Sequence, residues 1–253
     1  MTLTSWVIIF SLIGGVFSLV GGVFLLKNDE WVKRNTLTIV SWAAGVLLTV
    51  AFMDLMPEAI EMGLESGKEV HDLFRYSLYA VVGFFVLERT FVWFHHHHEP
   101  DMDPPTNTLI VIGDSIHNLI DGIVIGTAFL VGIPTGIVTA IAVAAHEIPQ
   151  EIADFGILLS SGIKKTKVFF INLISSFMTP VGALITIYFS NYIKDITPQL
   201  LAFAAGMFTY IACSDLIPEL HHTQSKKVAA KQLIFFFLGI GITCILINYT
   251  HAG

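Results

Sequence analysis

Two short runs concentrate the groups that can do chemistry. Asp114, His117, Asn118 and Asp121 fall at i, i+3, i+4 and i+7, a spacing that puts all four on one stripe of a helix. His146, Glu147, Gln150, Glu151 and Asp154 follow at i, i+1, i+4, i+5 and i+8, a second and wider stripe. Imidazoles, carboxylates and side-chain amides together make a borderline nitrogen-and-oxygen donor set, suited to zinc and other first-row divalent ions. Neutral His with ionised Asp or Glu binds a dication and offsets charge that an apolar setting would otherwise penalise. The same residue types also serve a metal-free proton relay, or a polar network that only fixes two helices. Spacing alone leaves all three readings open. Pro149, inside His146–Glu151, removes one helical hydrogen bond and leaves the Ala145 carbonyl without its usual donor.

The surroundings of these stripes are unusual for a water-soluble protein. Apolar residues make up 54% of the 253 residues, and Asp, Glu, Lys and Arg only 13%, against about 25% in soluble domains. So few charges cannot cover a water-facing surface, so much of the chain faces lipid. Thirteen Lys and Arg against 20 Asp and Glu give a net charge of −7, which excludes nucleic acid as a partner. The only two cysteines, Cys213 and Cys244, exclude a disulfide framework and read as buried thiols in apolar runs. A bilayer core takes about 20 apolar helical residues, and such lengths recur at 4–26, 36–60, 72–94, 106–131, 134–159, 167–189, 198–219 and 231–250. The expected fold is an all-α integral membrane protein of eight transmembrane helices, one domain over 1–253. The first span lacks a basic n-region and reads as a retained helix, not a signal peptide. Alternation of the kind barrel strands show is absent. Both stripes therefore lie within spans, where ionisable groups usually face a bundle interior or a water-filled path, and His117 and His146 sit near mid-span.

Charge sets the expected direction. Ten Lys and Arg fall on the side of the odd-numbered loops and three, Lys68, Arg75 and Lys194, on the other. The basic side is the cytoplasmic one, so both termini lie outside the cytoplasm. Asp54-Leu55-Met56-Pro57-Glu58 closes the second span and Asp215-Leu216-Ile217-Pro218-Glu219 the seventh. The same element at opposite faces is what an inverted repeat of helices 1–3 and 6–8 produces, with helices 4 and 5 between them in a 3+2+3 arrangement. Asp54 and Glu58, with Glu61, Glu65, Glu69 and His71 beyond them, make the outer mouth acidic. Asp114 and Asp154 lie on the cytoplasmic side of the two histidines, and lead toward Asp215, Glu219, His221 and His222. A His-rich loop at 95–105, with His95–His98 followed by acids, also lies on that side. His-rich tracts bind metal by composition; a solvated loop without a role fits equally well.

These residues resemble the ZIP (Zrt/Irt-like) family of divalent-metal transporters. His117-Asn118-Leu119-Ile120-Asp121-Gly122 matches the family pattern HNxxDG. His146-Glu147-Ile148-Pro149-Gln150-Glu151, read on to Asp154, looks like the HExPHExGD signature of one subfamily. The resemblance implies a midplane site shared by spans four and five, and ion movement into the cytoplasm by a homodimer in the cell inner (plasma) membrane. It puts His117, Asp121, His146 and Gln150 at the primary metal position, and Asn118, Asp121, Glu147 and Glu151 at a second. Zn²⁺ is the expected substrate, with Cd²⁺, Fe²⁺, Mn²⁺ and Co²⁺ as further ones. Three positions depart from the pattern. Gln150 stands where the subfamily has His and other members a bridging carboxylate, Ala153 replaces a glycine, and Asp54 replaces a common His. The alternative of another class is an intramembrane metal-dependent hydrolase, since His146-Glu147 opens like the zinc-protease HExxH. Its second His is missing at Gln150.

Overall fold

Apolar runs with few charges fold as helices in lipid because every backbone donor and acceptor must be satisfied within the segment. The computed structural model describes residues 1–27, 29–96, 104–160, 162–221 and 225–251, and no strand occurs among them. The elements are α1 (Leu3–Gly14), α2 (Val20–Lys27), α3 (Asp29–Val50), α4 (Met56–Glu65), α5 (Val70–His96) and α6 (Pro104–Val131). They continue as α7 (Ile133–Ser160), α8 (Lys165–Ser176), α9 (Met178–Tyr188), α10 (Ser190–Ile193), α11 (Thr197–Tyr210), α12 (Ile217–Leu220) and α13 (Lys226–His251). Among the described residues, seven helical rods are long and apolar enough to cross a membrane. The protein is an all-α, multi-pass membrane protein.

The fifth expected span, 134–159, forms as α7 but is not one of those seven. Its 28 residues are long enough; the polar run from His146 to Asp154 lowers its apolarity. The reason it tolerates that run is its position. Helix α7 packs against α1, α2, α3, α6, α8 and α13, so its surface meets protein. It stays helical through Pro149.

Four rods that read as continuous spans are interrupted. The first breaks at Gly15, with a short 3-10 turn over Val16–Leu19 before α2. The sixth breaks at Phe177, between α8 and α9. Ser175 and Ser176 there donate back to the carbonyls of Asn172 and Leu173, a bond that bends helices. The second and seventh rods each widen into a π-helical turn, over Ala51–Leu55 and Ile211–Leu216. Each turn ends two residues before a proline, Pro57 or Pro218. A proline clashes with the carbonyl four residues back, here that of Met53 or Ser214. A wider turn relieves this clash, so the two copies of the DLxPE motif share one local deformation.

Packing follows the same pairing. The fourth rod lies on the sixth as the fifth lies on the first, and the second lies on the eighth as the seventh lies on the third. The second touches the fifth as the seventh touches the fourth. Helices α6 and α9 approach most closely at two glycines. A Cβ on Gly122 would stand 2.0 Å from the Thr179 carbonyl oxygen, and one on Gly182 would stand 2.2 Å from that of Leu119. Small residues allow this backbone contact, which is how membrane helices gain packing energy without a hydrophobic driving force.

Two expectations need correcting or restricting. Cys213 is exposed and Cys244 half-buried, and both are free thiols; a residue in an apolar span has no need to leave the surface when that surface is lipid. The expected loop at 95–105 is shorter, because α5 runs to His96 and α6 starts at Pro104. Residues 97–103, including His97 and His98, lie outside the described residues.

Candidate metal centre

Helices α6 and α7 cross with their polar stripes facing. His117 and Asp121 are one turn apart on α6; His146 and Glu147 are adjacent on α7. One ligand atom from each of the four lies within 4.8 Å of the others. His117 Nε2 and His146 Nε2 are 3.3 Å apart. Asp121 Oδ2 lies 3.1 Å from His146 Nε2 and 3.8 Å from His117 Nε2. Glu147 Oε1 is 3.7 Å from His117 Nε2 and 3.8 Å from His146 Nε2. Two nitrogen ligands at about 2.0–2.1 Å from a tetrahedral zinc are themselves about 3.3–3.4 Å apart. The donor atoms therefore already stand near the edge length of such a tetrahedron.

Protonation favours the same use. His146 Nδ1 lies 3.2 Å from the Ala142 carbonyl oxygen, which can only accept, so the tautomer with its proton on Nδ1 gains a hydrogen bond there. Nε2 then turns a lone pair toward Asp121 and His117, and outer hydrogen bonds of this kind are how ligating histidines are fixed. Apart from the His146 Nε2 contact and each other, neither Asp121 nor Glu147 has a hydrogen-bonding partner among the described residues. Both side chains are fully buried, and His146 is 1% exposed. Two carboxylates buried side by side are costly as anions unless a cation lies between them. The Phe84 ring stands edge-on to His117 and that of Phe208 to His146, which walls the cluster with apolar groups.

The other predicted site residues fall elsewhere. Asn118 is fully buried, and its amide nitrogen donates to Asp114 Oδ1 at 3.0 Å and to the Asp114 carbonyl at 3.1 Å. Its oxygen accepts from Thr179 Oγ1 at 2.7 Å, so the amide is committed on both sides. Gln150 hydrogen-bonds to the Asp114 carboxylate. Glu151 is 1% exposed and neither of its oxygens receives a hydrogen bond from a described residue. Asp114 and Asp154 are its electrostatic neighbours, so a second layer of three acids lies beside the four-residue cluster. Asp54 is buried within the π-turn of the second rod, and Glu58 is half-buried. Glu61, Glu65, Glu69 and His71 beyond them are exposed. Asp215, Glu219 and His221 are exposed, and Asp215 lies within electrostatic reach of His146 and Glu88. His222 lies outside the described residues.

Two residues escaped the reading of the sequence, Thr179 and Glu88; Tyr210 belongs to the resemblance of the seventh span to the family's corresponding helix. Thr179 on α9 holds Asn118, and Tyr210 donates to Glu88 Oε2, joining α11 to α5. A lone glutamate inside the third span was the available signal for Glu88. Nothing local marked Thr179.

Residues 94–247, more than half of the chain, match the family model described as ZIP zinc transporter. The chain belongs to the ZIP family. Among ZIP relatives, human zinc transporter ZIP6 is 31% identical over 150 residues, 56% of this chain and 20% of that protein. Mouse zinc transporter ZIP10 is 42% identical over 114 residues, 45% of this chain and 14% of the relative. Rat metal cation symporter ZIP8 is 33% identical over 153 residues, 57% of this chain and 32% of the relative. The chain thus spans a third or less of the length of these curated ZIP relatives.

Proposed function

We propose that this chain carries divalent transition-metal ions across a membrane into the cytoplasm, with Zn²⁺ as the main substrate and Cd²⁺, Fe²⁺, Mn²⁺ and Co²⁺ as further ones. The observation that carries this reading is the buried cluster of His117, Asp121, His146 and Glu147. It combines two imidazole nitrogens with two buried carboxylates that have no partner outside the cluster among the described residues, at separations near those around a tetrahedral dication. The names of the ZIP relatives, zinc transporters and a metal cation symporter, support the same substrate class.

In this reading all eight rods span the bilayer as a 3+2+3 arrangement, with helices 1–3 and 6–8 an inverted repeat. The exchange symmetry of the packing, the paired π-turns and the paired breaks at Gly15 and Phe177 support it. Ions enter past Asp54 and Glu58 and bind between α6 and α7. They leave past Asp114, Asp154 and Glu151 toward Asp215, Glu219, His221 and His222. Both termini lie outside the cytoplasm, 1–253 forms one transmembrane domain, and the working form is a homodimer in the cell inner (plasma) membrane. The His-rich segment within 95–105 collects ions on the cytoplasmic side. The hydrolase alternative loses its footing at Gln150, which faces Asp114 and supplies no imidazole to the cluster.

The test is uptake into liposomes that contain purified protein and an internal zinc-responsive dye. Saturable zinc entry at least tenfold above protein-free liposomes is expected. Hydrolysis of lipid or peptide substrates without any entry of zinc would overturn the proposal.

A further inference from the structure

A cavity of about 350 Å³ opens between the start of α5 and the first turn of α11, and none of the four metal-cluster residues lines it. Lys68, Asp72, Leu73, Arg75, Tyr76, Tyr79 and Gln199 line it. Its volume falls within the ~300–1,000 Å³ range of small-molecule sites. Charge is arranged as a pair. Arg75 Nη1 lies 2.7 Å from Asp72 Oδ1, with His71 Nε2 at 3.4 Å from the same oxygen. Lys68 Nζ donates to the Asp195 carbonyl at 2.9 Å, which ties the turn before α5 to the start of the seventh rod. Two of the three basic residues on this side of the chain thus line one cavity, beside one carboxylate. Gln199 has a side-chain oxygen that receives no hydrogen bond from a described residue.

Below the charges the wall changes character in a fixed order. Asp72, Arg75, Tyr76 and Tyr79 follow at i, i+3, i+4 and i+7 on one face of α5, and the seven steps from first to last cover about 10 Å. Tyr76 and Tyr79 are exposed, and the next positions down the helix, Val82, Phe85 and Val86, are each at least half exposed. Tyrosines occupy the level of the membrane interface, where an apolar ring and a polar tip are both satisfied. A charged pocket continuous with a tyrosine belt and an exposed apolar track matches an amphiphile with a charged head and acyl chains. A free anion would use only the top of it.

We propose that this cavity binds the headgroup of an aminophospholipid. The phosphate is met by Lys68 and Arg75, and the primary ammonium by Asp72 and the free oxygen of Gln199. The two tyrosine hydroxyls reach the ester level, and the acyl chains lie along Val82, Phe85 and Val86. An ammonium with N–H donors satisfies Gln199; a quaternary amine does not.

The test is native mass spectrometry of delipidated full-length protein offered equimolar phosphatidylethanolamine, phosphatidylcholine and phosphatidylglycerol. One phosphatidylethanolamine retained per chain, at least tenfold over phosphatidylcholine, is expected. Arg75→Gln should lower that retention at least tenfold, with helical circular dichroism unchanged. Asp72→Asn should abolish the preference over phosphatidylcholine while phosphatidylglycerol still binds; this second variant keeps the test decisive if Arg75→Gln misfolds. Equal retention of the three lipids, or unchanged retention in Arg75→Gln, would overturn the proposal. Displacement of the lipid by an equal concentration of soluble O-phosphoethanolamine would show that the head alone is the ligand, and would overturn the lipid assignment.

Discussion

At His146 the neighbouring carbonyl bears on the chemistry: with its proton on Nδ1, facing the Ala142 oxygen 3.2 Å away, the ring offers Nε2 as a ligand. His117, Asp121 and Glu147 complete a donor set with no water-exposed substitute, since three of the four are buried. Alanine at any one of the four positions is expected to lower zinc uptake into liposomes at least tenfold while the protein still inserts. Unchanged uptake in all four variants would remove the midplane site. A second expectation concerns the number of ions. Two carboxylates balance one dication, and the neighbouring position 150 offers an amide that carries no charge. Two dications a few ångströms apart repel strongly in a low dielectric and need anions between them. Elemental analysis of purified protein should therefore give about one tightly held zinc per chain. Gln150→Glu places a new carboxylate beside Asp114 and should raise the ratio toward two. Two fully occupied ions in the unaltered protein would defeat this, and would point to Glu151, whose oxygens lack donors, as the bridge.

The helices decide which of these residues meet. Gly122 and Gly182 let α6 and α9 touch backbone to backbone, and that contact brings Thr179 to Asn118. Gly122→Ala is expected to destabilise the protein by about 1–3 kcal/mol, the usual cost of overpacking, seen as a lower thermal midpoint in detergent. Gly83→Ala is the control: a Cβ there meets nothing within 4 Å, so its midpoint should not fall. Much of this level was legible beforehand. The i, i+3, i+4 spacings placed His117 with Asp121 on one face, and apolar length marked the helical rods, although the seventh begins at Ser190 and not 198, and the second runs on to Glu65 and not 60. The four interruptions were not legible, because a π-turn or a 3-10 turn depends on how a proline or glycine is accommodated by neighbours. The repeated DLxPE motif marked the right places without revealing the deformation. The commitment of Asn118 was also invisible, since its partner lies sixty-one residues away on a helix whose packing no local pattern specifies.

For the whole molecule, we propose from the bias of basic residues that residues near both chain ends face away from the cytoplasm. Single cysteines introduced at Thr2 or Tyr249 in a variant lacking Cys213 and Cys244 should react with a membrane-impermeant maleimide added to intact cells. Labelling only after the membrane is opened would reverse the assigned direction. One property of the four-residue cluster reaches the same scale in electrical terms. With both carboxylates ionised the empty cluster holds two negative charges, and a bound dication brings it to neutrality. Exposing the loaded site to the other side then moves no net charge through the membrane field, whereas returning the empty site moves two. Each elementary charge crossing a full 100 mV is worth about 2.3 kcal/mol. An inside-negative voltage pushes the emptied, anionic site back outward, and so speeds the half of the cycle in which no metal is carried. At saturating zinc, uptake into liposomes clamped inside-negative by a potassium diffusion potential should exceed uptake at zero voltage. Equal rates would mean that the emptied cluster returns already neutralised, with protons in place of the metal.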